Sequence, residues 1–245
     1  MIDIHCHMLP GIDDGAKTLS QALDMARLAV ASGITDTVVT PHFHAGRYEN
    51  TRESVQAATR QFQACLQEHD VPLRLHSAGE VRIGAELMGM VAADQVPFLG
   101  SLDGYRLVLL EMPHSHSPVG ADKLVKWCLQ RMIRPVIPHP ERNKDVMRDI
   151  EAITPLVELG CLLQVTAGAV AGDFGAMAGK RAGQLLERGW VSFLASDAHN
   201  THRRIPNLEP GRAAAAGIIG EEASWQLVRD NPRKMLYAPM REVSS

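Results

Sequence analysis

Short apolar runs alternate along the chain with longer stretches whose apolar positions recur every three or four residues. Ile2 to His5 reads as a short buried strand. From Leu19 to Ser32 the period lengthens, and Leu19, Ala22, Leu23, Ala26, Ala29 and Val30 fall on one helical face. Thr18 and Gln21 have the spacing of a capping box, and Gly33 suits the helix stop. A strand is predicted from Asp36 to Thr40. The next helix is opened by Asn50 with Glu53, and its inner face of Val55, Ala58, Phe62, Cys65 and Leu66 makes Cys65 a core residue. Leu73 to Ala78 reads as a third strand, followed by a helical piece from Gly84 to Ala93.

The fourth run, Arg106 to Glu111, is the clearest strand, and it stops on a carboxylate. Ser117-Pro118 predicts the start of a helix with Leu124, Val125, Cys128, Leu129 and Met132 inward. A fifth strand spans Arg134 to Pro138. The helix after it ends before Gly160 and is kinked or broken at Pro155. Leu162 to Thr166 forms a sixth strand, followed by the small-residue stretch Ala167 to Gly172. A helix from Ala176 to Arg188 leads to a seventh strand, Val191 to Ala195. Helical segments over Pro210 to Ile219 and Glu221 to Asp230 follow, and the tail past Met235 is expected to be loose.

Strand and helix alternate about seven times, which predicts parallel strands joined by helices. Titratable residues follow the C-terminal ends of these strands: His5, His42, Glu80, Glu111, His139 and Asp197. An open sheet would spread them along a line. A barrel gathers them at one mouth, where barrel active sites lie. The pattern therefore favours a closed or distorted α/β barrel. No linker interrupts it, so residues 1–245 are expected to form a single domain.

Composition adds exclusions. The net charge of −3 carries no Lys/Arg-rich block, which argues against a nucleic-acid partner. No apolar run reaches membrane-spanning length, and Asp3 interrupts the place of a signal peptide's apolar region. The expectation is a soluble cytoplasmic protein without membrane insertion. The four cysteines, Cys6, Cys65, Cys128 and Cys161, form no C-x-x-C pair, which disfavours disulfides and a thiolate zinc site.

His5 and His7 stand two apart on an extended segment and can aim at one point, with Asp14 returning from the loop. Imidazole with carboxylate suits a divalent transition metal. The full candidate set is His5, His7, Asp14, His42, Glu80, Glu111, His139, Asp197 and His199. That is too many donors for one ion and suits two or three, Glu111 being the natural bridge. Clustered ions of this kind hold a hydroxide nucleophile and stabilise in-line phosphoryl displacement.

His5-Cys6-His7, Asp13-Asp14-Gly15, Thr40-Pro41-His42, Gly79-Glu80, Glu111, His139-Pro140-Glu141-Arg142-Asn143 and Ser196-Asp197-Ala198-His199-Asn200 resemble the motif set of the PHP (polymerase and histidinol phosphatase) superfamily. Order and spacing are most similar to the bacterial manganese-dependent protein-tyrosine phosphatases of capsule and exopolysaccharide operons. The resemblance extends to Leu9-Pro10-Gly11 and to Thr166 through Gly175. It implies a distorted (β/α)7 TIM-like barrel and a trinuclear site, with manganese expected and Fe, Co or Zn possible. It also implies hydrolysis of phosphotyrosine on a partner tyrosine autokinase. Arg142 and Arg204 match phosphate-binding arginines of that family, and guanidinium suits a doubly charged phosphate. Arg203 is adjacent and competes with Arg204 for that role. His44, His114 and His116 depart from the family pattern, so no role transfers to them.

The expected mechanism is direct attack by a metal-bridged hydroxide without a phosphoenzyme. Cys128 to Arg134 spells C-x5-R, the signature of cysteine-dependent phosphatases, but Cys128 lies on a helical apolar face with no Gly or Ser between. Asp13 reads as a turn former or as a support for the ligands. His69 and His76 read as surface or packing residues. The rival readings are a PHP-type phosphoesterase for a small monoester such as histidinol phosphate, and a non-catalytic metal-binding regulator.

Overall fold

The computed structural model describes residues 1–237. Its parallel strands close into one distorted barrel. β1 (Ile2–Cys6) pairs with β2 (Asp36–Val39), and β2 with β4 (Arg74–Ser77). Two of the expected strands, Asp36 to Thr40 and Leu73 to Ala78, are followed after a break by short further strands. Thr40-Pro41 separates β2 from β3 (His42–Phe43), because proline cannot donate to a ladder. Ala78-Gly79 separates β4 from β5 (Glu80–Arg82), where the Gly79 N–H donates to Pro97 O instead. The ladder continues from β3 and β5 through β7 (Tyr105–Glu111), β8 (Ile133–Pro138) and β9 (Leu162–Thr166) to β10 (Val191–Ala195). The end of β10 returns to β1: the Asp197 N–H donates to His5 O and the His7 N–H to Ala198 O, each at 2.8 Å.

One strand runs against the others. β6 (Gly100–Leu102) pairs antiparallel with β7. Asp103 and Gly104 turn between them with φ of 52° and 83°, the two left-handed residues that a tight hairpin requires. The apolar pattern missed this hairpin because β6 is only three residues long.

Helix α1 (Leu19–Ala31) is capped by Thr18, whose hydroxyl accepts from the Gln21 N–H, but Gln21 turns to the Lys17 N–H, so the expected box is not reciprocal. Leu19 is largely exposed, whereas Ala22, Leu23, Ala26 and Ala29 are buried. α2 (Arg52–Glu68) starts from a Thr51–Ser54 capping box, not from Asn50 and Glu53. Asn50 instead donates to His42 O and Ile12 O. Cys65, expected in the core, is only half-buried at the helix edge. α3 spans Glu86–Ala92.

α4 (Ala121–Leu129) begins at Gly120, whose φ of 83° resets the chain after Ser117-Pro118. It also ends earlier than expected, so Met132 lies past the helix in a left-handed turn and is exposed rather than inward. α5 (Lys144–Arg148), a 3-10 turn and α6 (Thr154–Glu158) replace one long helix, with Pro155 at the start of α6. Ala167–Ala171 forms a short α7, and α8 spans Ala176–Glu187. α9 (Glu209–Ile219) and α10 (Glu221–Trp225) are followed by a π-helical turn at Gln226–Asp230 and by α11 (Asn231–Tyr237). The chain expected to loosen past Met235 is therefore helical to Tyr237, and its remainder lies outside the described residues.

The barrel interior is layered. Ile2, Ile4, Val38, Leu107, Leu109, Val136 and Phe193 pack in an inner apolar cluster that Met235 of α11 closes from below. Their strand neighbours, such as Val39, Val108, Ile137 and Leu194, join the larger cluster between strands and helices. Alternation then carries polar residues to the top of the interior: Glu111 two beyond Leu109, and Asp197 two beyond Ala195. In β1 the register shifts between Asp3 and Cys6. Ile4 stays with Ile2 in the inner cluster, whereas the irregularity sends Cys6 to the outer one and turns His5 into the mouth.

Candidate metal centre

Above the apolar floor, imidazoles and carboxylates converge. His5 Nε2 lies 3.1 Å from His7 Nε2, 3.4 Å from Glu80 Oε2 and 3.3 Å from Asp197 Oδ1. His7 Nε2 is 3.4 and 3.5 Å from the same two carboxylates. His42 Nδ1 stands 3.0 Å from Glu80 Oε2 and 4.0 Å from Glu111 Oε2, while its Nε2 is 3.2 Å from Asp14. His199 Nε2 reaches Asp14 at 3.4 Å. Three donor groups result: His5–His7–Glu80, His42–Glu80–Glu111 and His7–Asp14–His42–His199. They share His7, His42 and Glu80. His139 approaches from the opposite side, with Nε2 2.9 Å from Glu80 Oε1. It and Asp197 border the three groups rather than belonging to them.

Local backbone geometry aims these side chains. His139 and Asp197, each just past a strand, hold φ of 38° and 50°. Positive φ costs energy in a non-glycine residue and is tolerated best by short polar side chains and His. Asp3 is buried beneath the site and binds β1 to the last strand's end. Its carboxylate accepts from the His5 N–H, the Ser196 N–H and the Ser196 hydroxyl. Burial pushes its pKa up, against the pull of those donors. Gly15 packs so closely that an added Cβ would sit 1.9 Å from His7 O.

The ring protons are assigned by their partners. His5 Nδ1–H donates to Gln164 Oε1 at 2.8 Å, His7 Nδ1–H to Asp13 Oδ2 at 2.7 Å, and His199 Nδ1–H to Asp197 O at 3.0 Å. Each bond leaves the Nε2 lone pair facing the cluster. Two facing lone pairs 3.1 Å apart cannot hydrogen-bond to each other, but a cation between them satisfies both. Five carboxylates (Asp13, Asp14, Glu80, Glu111 and Asp197) face three guanidiniums (Arg82, Arg142 and Arg204). Extra positive charge is therefore required, and imidazolium protons or divalent cations can supply it. The donor set fits divalent metal ions.

The pull of neighbouring charges on these rings points the same way. Burial opposes a proton on His7, yet Asp13 and Glu80 raise it to about 9. Burial likewise opposes one on His42, but Asp14 and Glu80 raise it to about 11. Burial and Arg142 push His139 down to about 3, so it is neutral. Glu111 is pushed up by burial and by the Glu80 charge.

Arg142 and Arg204 both pair with Asp197 Oδ2, Arg142 from the loop after β8 and Arg204 from Asp197's own loop after β10. The Arg142 guanidinium also lies 4.8 Å over the Phe174 ring, and Arg204 Nε–H donates to Asp197 O at 3.1 Å. Arg203 is exposed. His114 packs beside His139 at the mouth, with ring centroids 5.3 Å apart. His44 lies beyond His42 in a turn closed by Tyr48, while His116 bonds its neighbour Ser115. His69 is exposed at the C-terminal end of α2, and His76 binds Asp36 at the far end of the barrel. Cys128 is buried in α4 and burial holds its thiol up at about 11, so C-x5-R forms no phosphate loop. Sequence reasoning overlooked Gln164, Arg82 and the structural role of Asp3. Arg82 pairs with Glu111 at 3.2 Å and follows Glu80 by two residues, which was the available signal.

A seven-stranded parallel barrel with a multi-ion donor set and paired arginines at its mouth defines a metal-dependent hydrolase class. The chain belongs to the capsular polysaccharide synthesis CpsB/CapC family, whose model matches residues 1–237. It is 38% identical over 230 residues to tyrosine-protein phosphatase YwqE of Bacillus subtilis, covering 94% of this chain and 89% of that one. It is 31% identical to the putative tyrosine-protein phosphatase CapC of Staphylococcus aureus, over 83% of this chain and 79% of that one. Crystal structures of YwqE and of CpsB from Streptococcus pneumoniae are described as unique metal-dependent tyrosine phosphatases. The one matched superposes with a TM-score of 0.90 at 34% identity, covering all of this chain and 96% of the other.

Proposed function

We propose that this chain is a metal-dependent protein-tyrosine phosphatase acting on a partner tyrosine autokinase in capsule or exopolysaccharide regulation. The observation that carries the reading is the shared donor set at the mouth beside two converging guanidiniums. Family membership and the relatives' named activity support it. Residues 1–245 act as one domain in the cytoplasm, and among the described residues no helix is long and apolar enough to cross a membrane.

His5, His7, Asp14, His42, Glu80, Glu111, His139, Asp197 and His199 would hold two or three divalent ions, manganese first among them. Bound there, the ions supply Lewis acidity and an activated water. Gln164 and Asp13 keep the His5 and His7 rings in the tautomer that presents Nε2. Arg142 and Arg204 hold the phosphoryl oxygens and stabilise the charge that grows on them in the transition state. Tyrosinate departs with little help, since its conjugate acid has a pKa of about 10. Cys6, Cys128 and Cys161 are buried with thiols pushed up by that burial, which leaves none of them poised as a nucleophile.

The test is a substrate panel with metal-stripped protein refilled with Mn, Fe, Co or Zn. Phosphotyrosine peptide should be hydrolysed at a kcat/KM at least about tenfold above phosphoserine peptide or histidinol phosphate, a gap of 1.4 kcal/mol. Manganese should restore the most turnover. Preference for histidinol phosphate would overturn the assignment and leave the metal site standing.

A further inference from the structure

The strands that deliver His42 and Glu80 continue past the metal cluster. His42 pairs with Glu80, and the next pair, Phe43 and Val81, opens onto a cavity of about 580 Å³. Its other walls mix polar and apolar groups: Tyr48 and Glu49 from the turn before α2, Glu53 from the first turn of α2, and Arg82, Ile83 and Met90 around α3. Two contacts join it to the cluster. The Tyr48 ring stacks on His42, with centroids 5.3 Å apart and planes within 14°. Arg82 lines the cavity while its guanidinium holds Glu111 at 3.2 Å. Ile83 is shared with a second, largely apolar cavity of about 420 Å³ that reaches Val119 and Trp127. Along that path Met88 is 43% exposed and Val119 completely so. Both side chains line this second cavity, so a partner seated in it would cover them.

The size of these two adjoining cavities, taken together as a groove, bears on the substrate. A small phosphate monoester would fill the cluster and leave the groove empty. The groove is within the range that encloses a ligand much larger than one aromatic ring. Given the phosphotyrosine reading on which this step rests, the phosphoryl group lies at the cluster and the polypeptide carrying it must leave the mouth. The groove is the route that begins at two of the cluster's own supports. We infer that it binds the segment flanking the phosphotyrosine, and that it selects phosphotyrosine peptides with apolar residues next to the phosphorylated one. Tyr48 and Arg82 mark its inner end, Met90 its floor, and Val119 its outer end.

The experiment compares two manganese-loaded variants with the parent on three substrates: a phosphotyrosine peptide flanked by leucines, the same peptide flanked by glycines, and p-nitrophenyl phosphate. The parent should favour the leucine peptide by about tenfold in KM, the amount expected for nearly complete burial of one leucine side chain. Met90→Glu should erase that preference while changing kcat/KM for p-nitrophenyl phosphate and manganese content less than about twofold. Val119→Glu alters a side chain wholly in solvent, so folding is not at stake, and it should reduce the preference by a smaller factor. The inference is overturned if the parent shows no preference, if both variants keep it, or if leucine and glycine peptides lose equally. Failure of the phosphatase reading looks different: the parent would hydrolyse neither phosphotyrosine peptide, and the groove would lose its occupant with it.

Discussion

At the scale of single residues, the cluster depends on side chains that carry no charge. Gln164 is wholly buried, and its Oε1 accepts the His5 Nδ1 proton across 159 residues of sequence. Partners of this kind fix ring orientation and typically account for 10–100-fold in metal affinity. Gln164→Leu should weaken manganese binding by about that factor, read by competition with a chromophoric chelator, with far-ultraviolet circular dichroism unchanged. Gln164→Glu retains the acceptor and should recover most of the loss. Equal weakening by both would show that only packing had been disturbed. Cys128→Ser makes the opposite prediction: the thiol lies in the outer core, and turnover should stay within about twofold of the parent. Most of the imidazoles and carboxylates that meet here stood out in the sequence because they fall at or just after the ends of apolar runs. Gln164 did not, since an amide inside a strand pattern has no signature until the strand facing it is known.

At the scale of elements, helix α11 acts as the barrel's plug. Met235 is fully buried among inner-cluster residues, and a Cβ on Gly100 of β6 would sit 2.5 Å from Met235 O. Tyr237 donates to Asp36 Oδ1 at 2.9 Å, tying the helix to β2. Met235→Ala should therefore destabilise the fold by about 2–5 kcal/mol, measured as a lower urea midpoint with an unchanged slope. A loss below about 1 kcal/mol would mean that α11 merely covers a barrel already closed beneath it. The sequence reading stopped short of this element. Tyr237 sits at its exposed end, and a seven-residue segment with a proline at its second position gives little helical period to read. The split of β2 from β3 was hidden for a related reason: Thr40-Pro41-His42 stood out as a motif, so its effect on the ladder was not drawn.

At the scale of the whole molecule, closure of the barrel creates an electrostatic problem at its mouth. The β1–α1 loop brings two acids and three other strand ends bring one each, and the folded chain crowds these five carboxylates around three guanidiniums. The convergence was legible because the acids and imidazoles fall at strand ends. Its charge balance was not, because that depends on which arginines turn inward. Metal-free protein balances the excess with imidazolium. His7 is raised to about 9 from an ordinary 6.5, and such a group stabilises the fold fully below 6.5 and loses its contribution as pH climbs towards 9. Divalent ions take the place of those protons and release them on binding. Metal-loaded protein should accordingly hold its Tm between pH 6.5 and 9, while stripped protein falls over the same interval. The gap between the two should widen with pH in scanning calorimetry at saturating manganese. A gap that stayed constant or narrowed would mean that protons and metal do not compete for this cluster.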